Sequence, residues 1–323
     1  MTMTRAYRGG ELKEEGFPVE QVSDFLADED TTVWVDLCEP TEADLAALTE
    51  EFGLHRLAVE DALHEHQRPK LDRYDRHAFL TAYAVDFDQE SGRVQTSELA
   101  AFVMPHALVT VRKDDRFAMD AVVARWDAAA DLAGSGVAFL LHGLLDHVVD
   151  GHFEAVQELD DEIERLEDLV FDDRPDQAEL QRRSFRLRKS LTALRRVVLP
   201  MREVVNALMR RDQPFFDEAT APYFQDVYDH VLRASEWTES LRELVSTIRE
   251  TQLNLQSNRL NLIMKKVTGW AAVIAVPTAV TGFFGQNVPY PGSGSPSGFW
   301  MSTVAIVLLS ALLFGIFRRR DWL

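Results

Sequence analysis

Three side-chain amides, Asn254, Asn258 and Asn261, fall at i, i+4 and i+7, a spacing that stacks them on one face of a helix. Stepping on from Asn261 by about 3.6 residues, the same face meets Thr268, Ala272, Ala275, Thr278 or Ala279, and Gly282. Amides and hydroxyls are neutral donors and acceptors. A row of them leading into an apolar segment suits contact with water. The opposite face carries Trp270, Ile274 and Phe284, which suit lipid or a packed helix. A stripe of small residues also serves close helix packing. The amides leading into it favour a water-filled path.

Other candidate chemistry is weaker. His64-Glu65-His66, with His55 and His77 nearby, invites a metal, but histidines at i and i+2 diverge on a helix and no third ligand has a standard spacing. A helix leading into the QRPK turn explains them better. Asp160-Asp161-Glu162 reads as a solvated face, and Cys38, the one cysteine, as a structural thiol with no disulfide partner. The sequence has no Gly-rich phosphate loop and no nucleophile elbow, so an enzyme is not expected.

The elements that must hold the amide stripe follow from charge. From Val267 to Phe317 the chain has no Asp, Glu, Lys, Arg or His in 51 residues. Two apolar runs, 267–284 and 299–317, flank a loop that Pro289, Pro291 and Pro296 exclude from a helix. At 1.5 Å per residue each run covers about 27–29 Å, close to a bilayer's hydrocarbon thickness. Lys265 and Lys266 precede the first run, Arg318, Arg319 and Arg320 follow the second, and the loop is uncharged. Both termini are therefore expected in the cytoplasm. Tyr290, Phe299 and Trp300 suit an outer aromatic belt and Trp322 an inner one. The N-terminus, polar and acidic, does not read as a signal sequence. The expected location is the inner (plasma) membrane, crossed twice. Two helices cannot enclose a path, so several copies must build it around an axis.

The rest of the chain is charged, and the whole carries 53 acidic against 34 basic side chains, a formal charge of −19. That excess excludes nucleic acid as a partner, since phosphate needs surplus Lys and Arg. Residues 1–140 read as a cytoplasmic α/β domain. Thr31 to Leu37 is a buried strand, Glu42 to Gly53 a helix with an acidic start, and Ala78 to Phe87, Glu98 to Pro105 and Ala107 to Asp114 are strands. Gly92 and Pro105-His106 mark the turns between them. Residues 141–220 read as a charged helical hairpin. Asp150 to Asp176 holds twelve acidic and two basic residues, and Gln177 to Gln213 ten basic and three acidic. Two such helices would pair across their faces or bind elsewhere in an oligomer. Residues 221–266 have no Pro or Gly after Pro222 and read as a stalk helix entering the first span, with a break allowed near Gly269 or Pro277. The loop is 285–298 and the tail 318–323.

The segment NLIMKKVTGWAAVIAVPTAVTGFFGQN, Asn261 to Asn287, resembles the first span and outer end of the CorA family of divalent-cation transporters. That family's pattern is N-x-x-M-K-x-x-T, then P-T, then G-x-[YF]-G-M-N. Glu60 to Leu80, Tyr223 to His230 and the terminal FRRRDWL also fit, so the resemblance spans most of the chain in order. It implies an α+β membrane protein with a funnel-forming cytoplasmic α/β/α domain, a long stalk helix and two C-terminal transmembrane helices, assembled as a homopentamer. Carried over by position, Gly285, Gln286 and Asn287 form the outer entrance, and Asn261, Met264, Val267, Ala275 and Thr278 line the pore. Asp226 matches an acidic residue of a cytosolic divalent-sensing site between subunits, whose partner is expected near Asp86 or Asp88. Gln286 departs from the family's Met.

The expected function is a channel-like transporter moving hydrated Mg²⁺ into the cytoplasm, with Mg²⁺ as substrate and regulator and no tightly bound cofactor. A Zn²⁺, Co²⁺ or Ni²⁺ transporter of the same superfamily is the nearer alternative. A membrane-anchored sensor or scaffold is the more distant one.

Overall fold

The computed structural model describes residues 2–28, 30–64, 67–129, 133–172, 176–210, 219–286, 289–290 and 292–322. The chain divides into two compact units, Met1–Ser246 and Thr247–Leu323.

The first unit begins with β1 (Thr2–Arg8), β2 (Glu11–Glu15), α1 (Val22–Leu26), β3 (Thr31–Cys38), α2 (Glu42–Phe52) and α3 (Arg56–Leu63). It continues with β4 (Lys70–Arg73), β5 (Ala78–Asp88), β6 (Arg93–Val103), β7 (Ala107–Arg112), α4 (Met119–Ala128), α5 (Val137–Phe171), α6 (Gln177–Leu208) and the start of α7 (Ala221–Phe284). The strands form one sheet in the order β2-β1-β3-β7-β6-β5-β4. Only β3 and β7 pair in parallel; the other neighbours are antiparallel.

Successive strand side chains point to opposite faces, so the sheet feeds two cores. Trp34, Leu80, Leu99 and Leu108 face one with α4, α5, α6 and α7. Val33, Val35, Phe79, Phe102 and Val109 face the other with α1, α2 and α3. Both faces being covered, β3 and β7 read as continuous apolar runs. The exception inside the sheet is a charge. Asp36 is wholly buried and accepts from Arg112 at Nε (3.0 Å) and Nη2 (2.6 Å) and from Thr110 Oγ1 (2.6 Å).

Local signals set the boundaries. Thr41 and Asp44 cap α2 reciprocally, Asp44 N donating to Thr41 Oγ1 (3.3 Å) and Thr41 N to Asp44 Oδ2 (2.8 Å). Gly53 ends that helix at φ 64°, a left-handed conformation that suits glycine. Two glycines let α5 press inward. A Cβ at Gly143 would lie 2.6 Å from Trp126 Nε1, and one at Gly151 3.0 Å from the Val85 carbonyl oxygen.

The hairpin α5–α6 is closed by hydrophobic burial rather than by charge. Leu159, Ile163 and Leu166 are buried on α5, and Leu187, Leu191 and Leu194 on α6. Among the described residues no ion pair joins α5 to α6; their pairs are Glu162–Arg165 within α5, Asp146 and Asp150 of α5 with Arg125 of α4, Glu179 with Arg182 and Arg183 within α6, Glu203 of α6 with Arg68, and Arg195–Glu239 from α6 to α7.

The second unit holds the remainder of α7 and α8 (Pro296–Arg319). Helix α7 runs on through Gly269 and Pro277 to Phe284 without a break. Pro277 removes one backbone donor. Nearby, the hydroxyls of Thr278 and Thr281 donate back to the carbonyls of Ile274 (3.4 Å) and Pro277 (2.8 Å). Ser295 stands at the N-cap position of α8 with its hydroxyl donating back to the Gly292 carbonyl (2.9 Å), and Pro296 opens the first turn. Both helices are long and apolar enough to cross a membrane. They touch through Trp270 and Phe314, ring centroids 6.1 Å apart, yet Ile274, Val267 and Leu308 stay more than half exposed.

Candidate ion path and cation cluster

In the second unit the amide stripe is continuous. Asn258, Asn261, Met264 and Thr268 line one cleft of about 570 Å³ with Leu262, Lys265 and Trp322. Asn254 lies one turn earlier, exposed, and Val267, Ala275 and Thr278 lie further along α7. By helical rotation Asn261, Met264, Ala275 and Gly282 fall on the side of α7 away from Trp270, the residue that meets α8. A Cβ added at Gly282 would meet no atom within 4 Å. The small residue there is therefore not required by packing within one chain.

At the C-terminal end of α7, Gly285 N donates to the Thr281 carbonyl (2.8 Å) and Gln286 N to that of Phe283 (3.3 Å). A Cβ on Gly285 would sit 2.9 Å from the Thr281 oxygen, so the chain needs glycine to close the last turn. Asn287 lies outside the described residues, as do Glu65 and His66.

In the first unit Asp226 stands on α7 with its side chain 66% exposed, 4.0 Å from His230 Nε2. Asp86, on β5, lines a cleft of about 360 Å³ with Arg116, Arg125, His147, Asp150 and Glu154. Asp88 is committed elsewhere. It accepts from the backbone N–H groups of Glu90 (3.0 Å) and Ser91 (3.3 Å) and from Ser91 Oγ (2.7 Å), which closes the β5–β6 turn and holds its carboxyl below the usual range. The single chain does not gather Asp226 with Asp86 and Asp88 into one group of ligands among the described residues.

The chain does assemble a group that the sequence pattern did not single out. Ligand atoms of Asp146, Asp150 and His230 all lie within 4.8 Å of one another, a spacing that fits a metal ion. Asp146 and Asp150 share a face of α5 by their i, i+4 spacing, but α7 brings His230 from 80 residues on. Arg125 of α4 already faces both carboxylates, Nη1 to Asp146 (2.7 Å) and Nη2 to Asp150 (2.6 Å). Partial burial pulls the guanidinium down, but its hydrogen bonds and charge contacts with these two acids hold it above its ordinary value. Burial lowers the imidazoles of His142 and His147 beside it. A divalent cation entering this group meets one fixed positive charge and two acids.

Comparison with known proteins places these features in a family. Residues 29–319 match the family described as CorA-like Mg²⁺ transporter protein. The chain is 28% identical over 308 residues to the cobalt/magnesium transport protein CorA of Thermotoga maritima, covering 94% of this chain and 87% of that one. It is 27% identical over 315 residues to the divalent cation transporter CmaX of Pseudomonas aeruginosa, covering 94% and 90%. Among solved structures, the complete CorA magnesium transporter of Methanocaldococcus jannaschii superposes with a TM-score of 0.79 at 23% identity, covering 99% and 98%. The fold is thus that of an α/β body, a long helix and two C-terminal apolar helices. By the extent of these matches, the chain belongs to the CorA-like Mg²⁺ transporter family, whose members are membrane transporters rather than enzymes.

Proposed function

We propose that this chain assembles as a homopentamer in the plasma membrane and passes hydrated Mg²⁺ into the cytoplasm through a path lined by α7. The observation that carries this reading is the stripe from Asn258 to Gly282. Apart from Met264 its members are polar or small, Asn261, Ala275 and Gly282 turn away from the Trp270 contact with α8, and at Gly282 it serves no packing need within one chain. Five copies around an axis turn it inward. Neither apolar run contains a carboxylate, so the ion keeps its waters, in keeping with the reluctance of Mg²⁺ to dehydrate. Amides of Gln286 and Asn287 at the mouth meet those waters first. With Lys265, Lys266 and Arg318 to Arg320 on the cytoplasmic side, the inside-negative potential drives entry by about 2.3 kcal/mol per charge per 100 mV.

Mg²⁺ is also the regulator in this reading, with no tightly bound cofactor. Exposed Asp226 of one copy and Asp86 of its neighbour share a cytosolic cation, which holds the ring symmetric and closed. Asp86 is preferred to Asp88, whose lone pairs serve the turn.

The test is flux of Mg²⁺, Zn²⁺, Co²⁺ and Ni²⁺ into liposomes holding the purified protein. Mg²⁺ uptake that Asn287→Ala abolishes supports the reading. Zn²⁺, Co²⁺ or Ni²⁺ uptake without Mg²⁺ overturns the ion assignment and favours the second reading. That alternative has its own support in His230, since imidazole suits later transition metals. No flux of any ion leaves a membrane-anchored sensor.

A further inference from the structure

The acidic and basic halves of the α5–α6 hairpin do not neutralise each other inside the chain. Each helix buries an apolar stripe and turns its charge outward. On α5 the exposed acids Glu154, Asp161 and Glu164 lie on the side opposite buried Leu159, Ile163 and Leu166. On α6 the exposed bases Lys189 and Arg196 lie opposite buried Leu187, Leu194 and Val198, and exposed Arg188 stands on the flank, about 100° round from Leu187. Among the described residues none of these six makes an ion pair. Phe185, 59% exposed, sits within the basic face with the Arg188 guanidinium 5.7 Å from its ring centre.

The two rows are also level. Asp161 lies ten residues back from the end of α5 at Phe171, and Arg188 eleven residues on from the start of α6 at Gln177. Glu154 lies 17 residues back and Arg196 19 residues on. At about 1.5 Å per residue the members of each pair differ in height along an antiparallel hairpin by only about 2–3 Å. Copies related by rotation about an axis parallel to the hairpin have no relative rise. Asp161 and Glu154 then stand level with Arg188 and Arg196 of the next copy, whereas Glu164 and Lys189 differ in height by about 7.5 Å.

We propose that the acidic face of α5 docks on the basic face of α6 of the neighbouring copy, head to tail around the ring. Such a contact is heterologous, so every copy uses both faces and the ring closes with none left over. The occupant is a second copy rather than an unrelated partner because one chain carries both signs, at matching heights. Exposed pairs are individually weak, so the contact sets register between copies more than it holds them together. This inference rests on the ring reading above.

The experiment uses full-length protein co-expressed from two tagged forms, one Asp161→Cys and the other Arg188→Cys; the native Cys38 is buried. Oxidation is expected to link the two forms into a doubly tagged dimer, at least tenfold above the mixture of two Asp161→Cys forms. In parallel, reversing Arg188, Lys189 and Arg196 to Glu is expected to lower the assembled fraction several-fold at low salt. Reversing Glu154, Asp161 and Glu164 to Lys in the same chain is expected to restore it. A ring that conducts but gives no mixed link and no rescue overturns this proposal alone. A monomer by native mass spectrometry overturns the ring and this contact together. Arg188→Cys protein that links instead to an anionic photoreactive phospholipid assigns the basic face to the bilayer surface, and also overturns it.

Discussion

In the first unit buried and half-buried charges answer one another at short range: Asp36 with Arg112, Arg5 with Asp127, Arg125 with Asp146 and Asp150. In the second, Asn258, Asn261 and Thr268 line a cleft and make no side-chain hydrogen bond among the described residues, while Trp270, Ile274 and Leu308 are half-exposed or more. A polar group left without a partner away from water costs free energy, and so does a large apolar surface left in it. The first unit answers these buried charges within one chain. The second is complete only with lipid on one side and water, ion or further copies on the other.

That contrast can be broken most severely in the first unit. Asp36→Ala leaves the Arg112 guanidinium buried without its acid, and removing one partner of a buried pair costs about 3–5 kcal/mol. The full-length protein should lose most of its thermal stability. A melt unchanged within error would show that water reaches Arg112 and that the core is not closed as described.

Next in size is a pH effect. His152 is fully buried, its Nε2 2.7 Å from the Tyr83 carbonyl oxygen, and burial holds its pKa down at about 4. The unfolded chain takes up this proton near pH 6.5, before the folded one does. Stability from the neutral ring is therefore complete above 6.5 and is lost as pH falls toward 4, by about 3 kcal/mol. His152→Gln should flatten that part of a melt-against-pH series. An unchanged slope would assign the acid sensitivity to other groups.

A smaller change sharpens the comparison at the cation cluster. Arg125 lies about two-fifths exposed against Asp146 and Asp150, so its pairs are partly screened and stability should change little on Arg125→Gln. The Mg²⁺ concentration that protects the full-length protein from limited proteolysis should fall about tenfold, since the cation no longer competes with a guanidinium. An identical midpoint in both proteins would remove Arg125 from any part in cation binding.

How much of this was legible beforehand depends on how local each signal is. The spans, the β3 run, the capped α2 and the Gly92 turn are written in consecutive residues, and the helices and strands follow those signs. β1 and β2 were hidden because Glu11–Glu15 is an entirely exposed edge strand and Arg5 breaks the apolar alternation of its neighbour, being held by Asp127 and Glu15. The Asp146–Asp150–His230 group could not be read from spacing, since three helices deliver it and its arginine. The expectation that α5 and α6 pair through opposite charge gave way to an apolar seam. That outcome follows from magnitudes: burying a leucine is worth about 1.5–3 kcal/mol, an exposed ion pair at most about 1.

The central claim is that water reaches one face of α7 inside the membrane. It is tested most directly by reaction of single cysteines with a small, membrane-impermeant charged thiol reagent, in the full-length protein reconstituted in liposomes. Thr268→Cys, Ala275→Cys and Thr278→Cys should react, and Ile274→Cys and Leu308→Cys should not. Reaction at 274 and 308 with silence at 268, 275 and 278 would turn the stripe toward lipid and contradict the path.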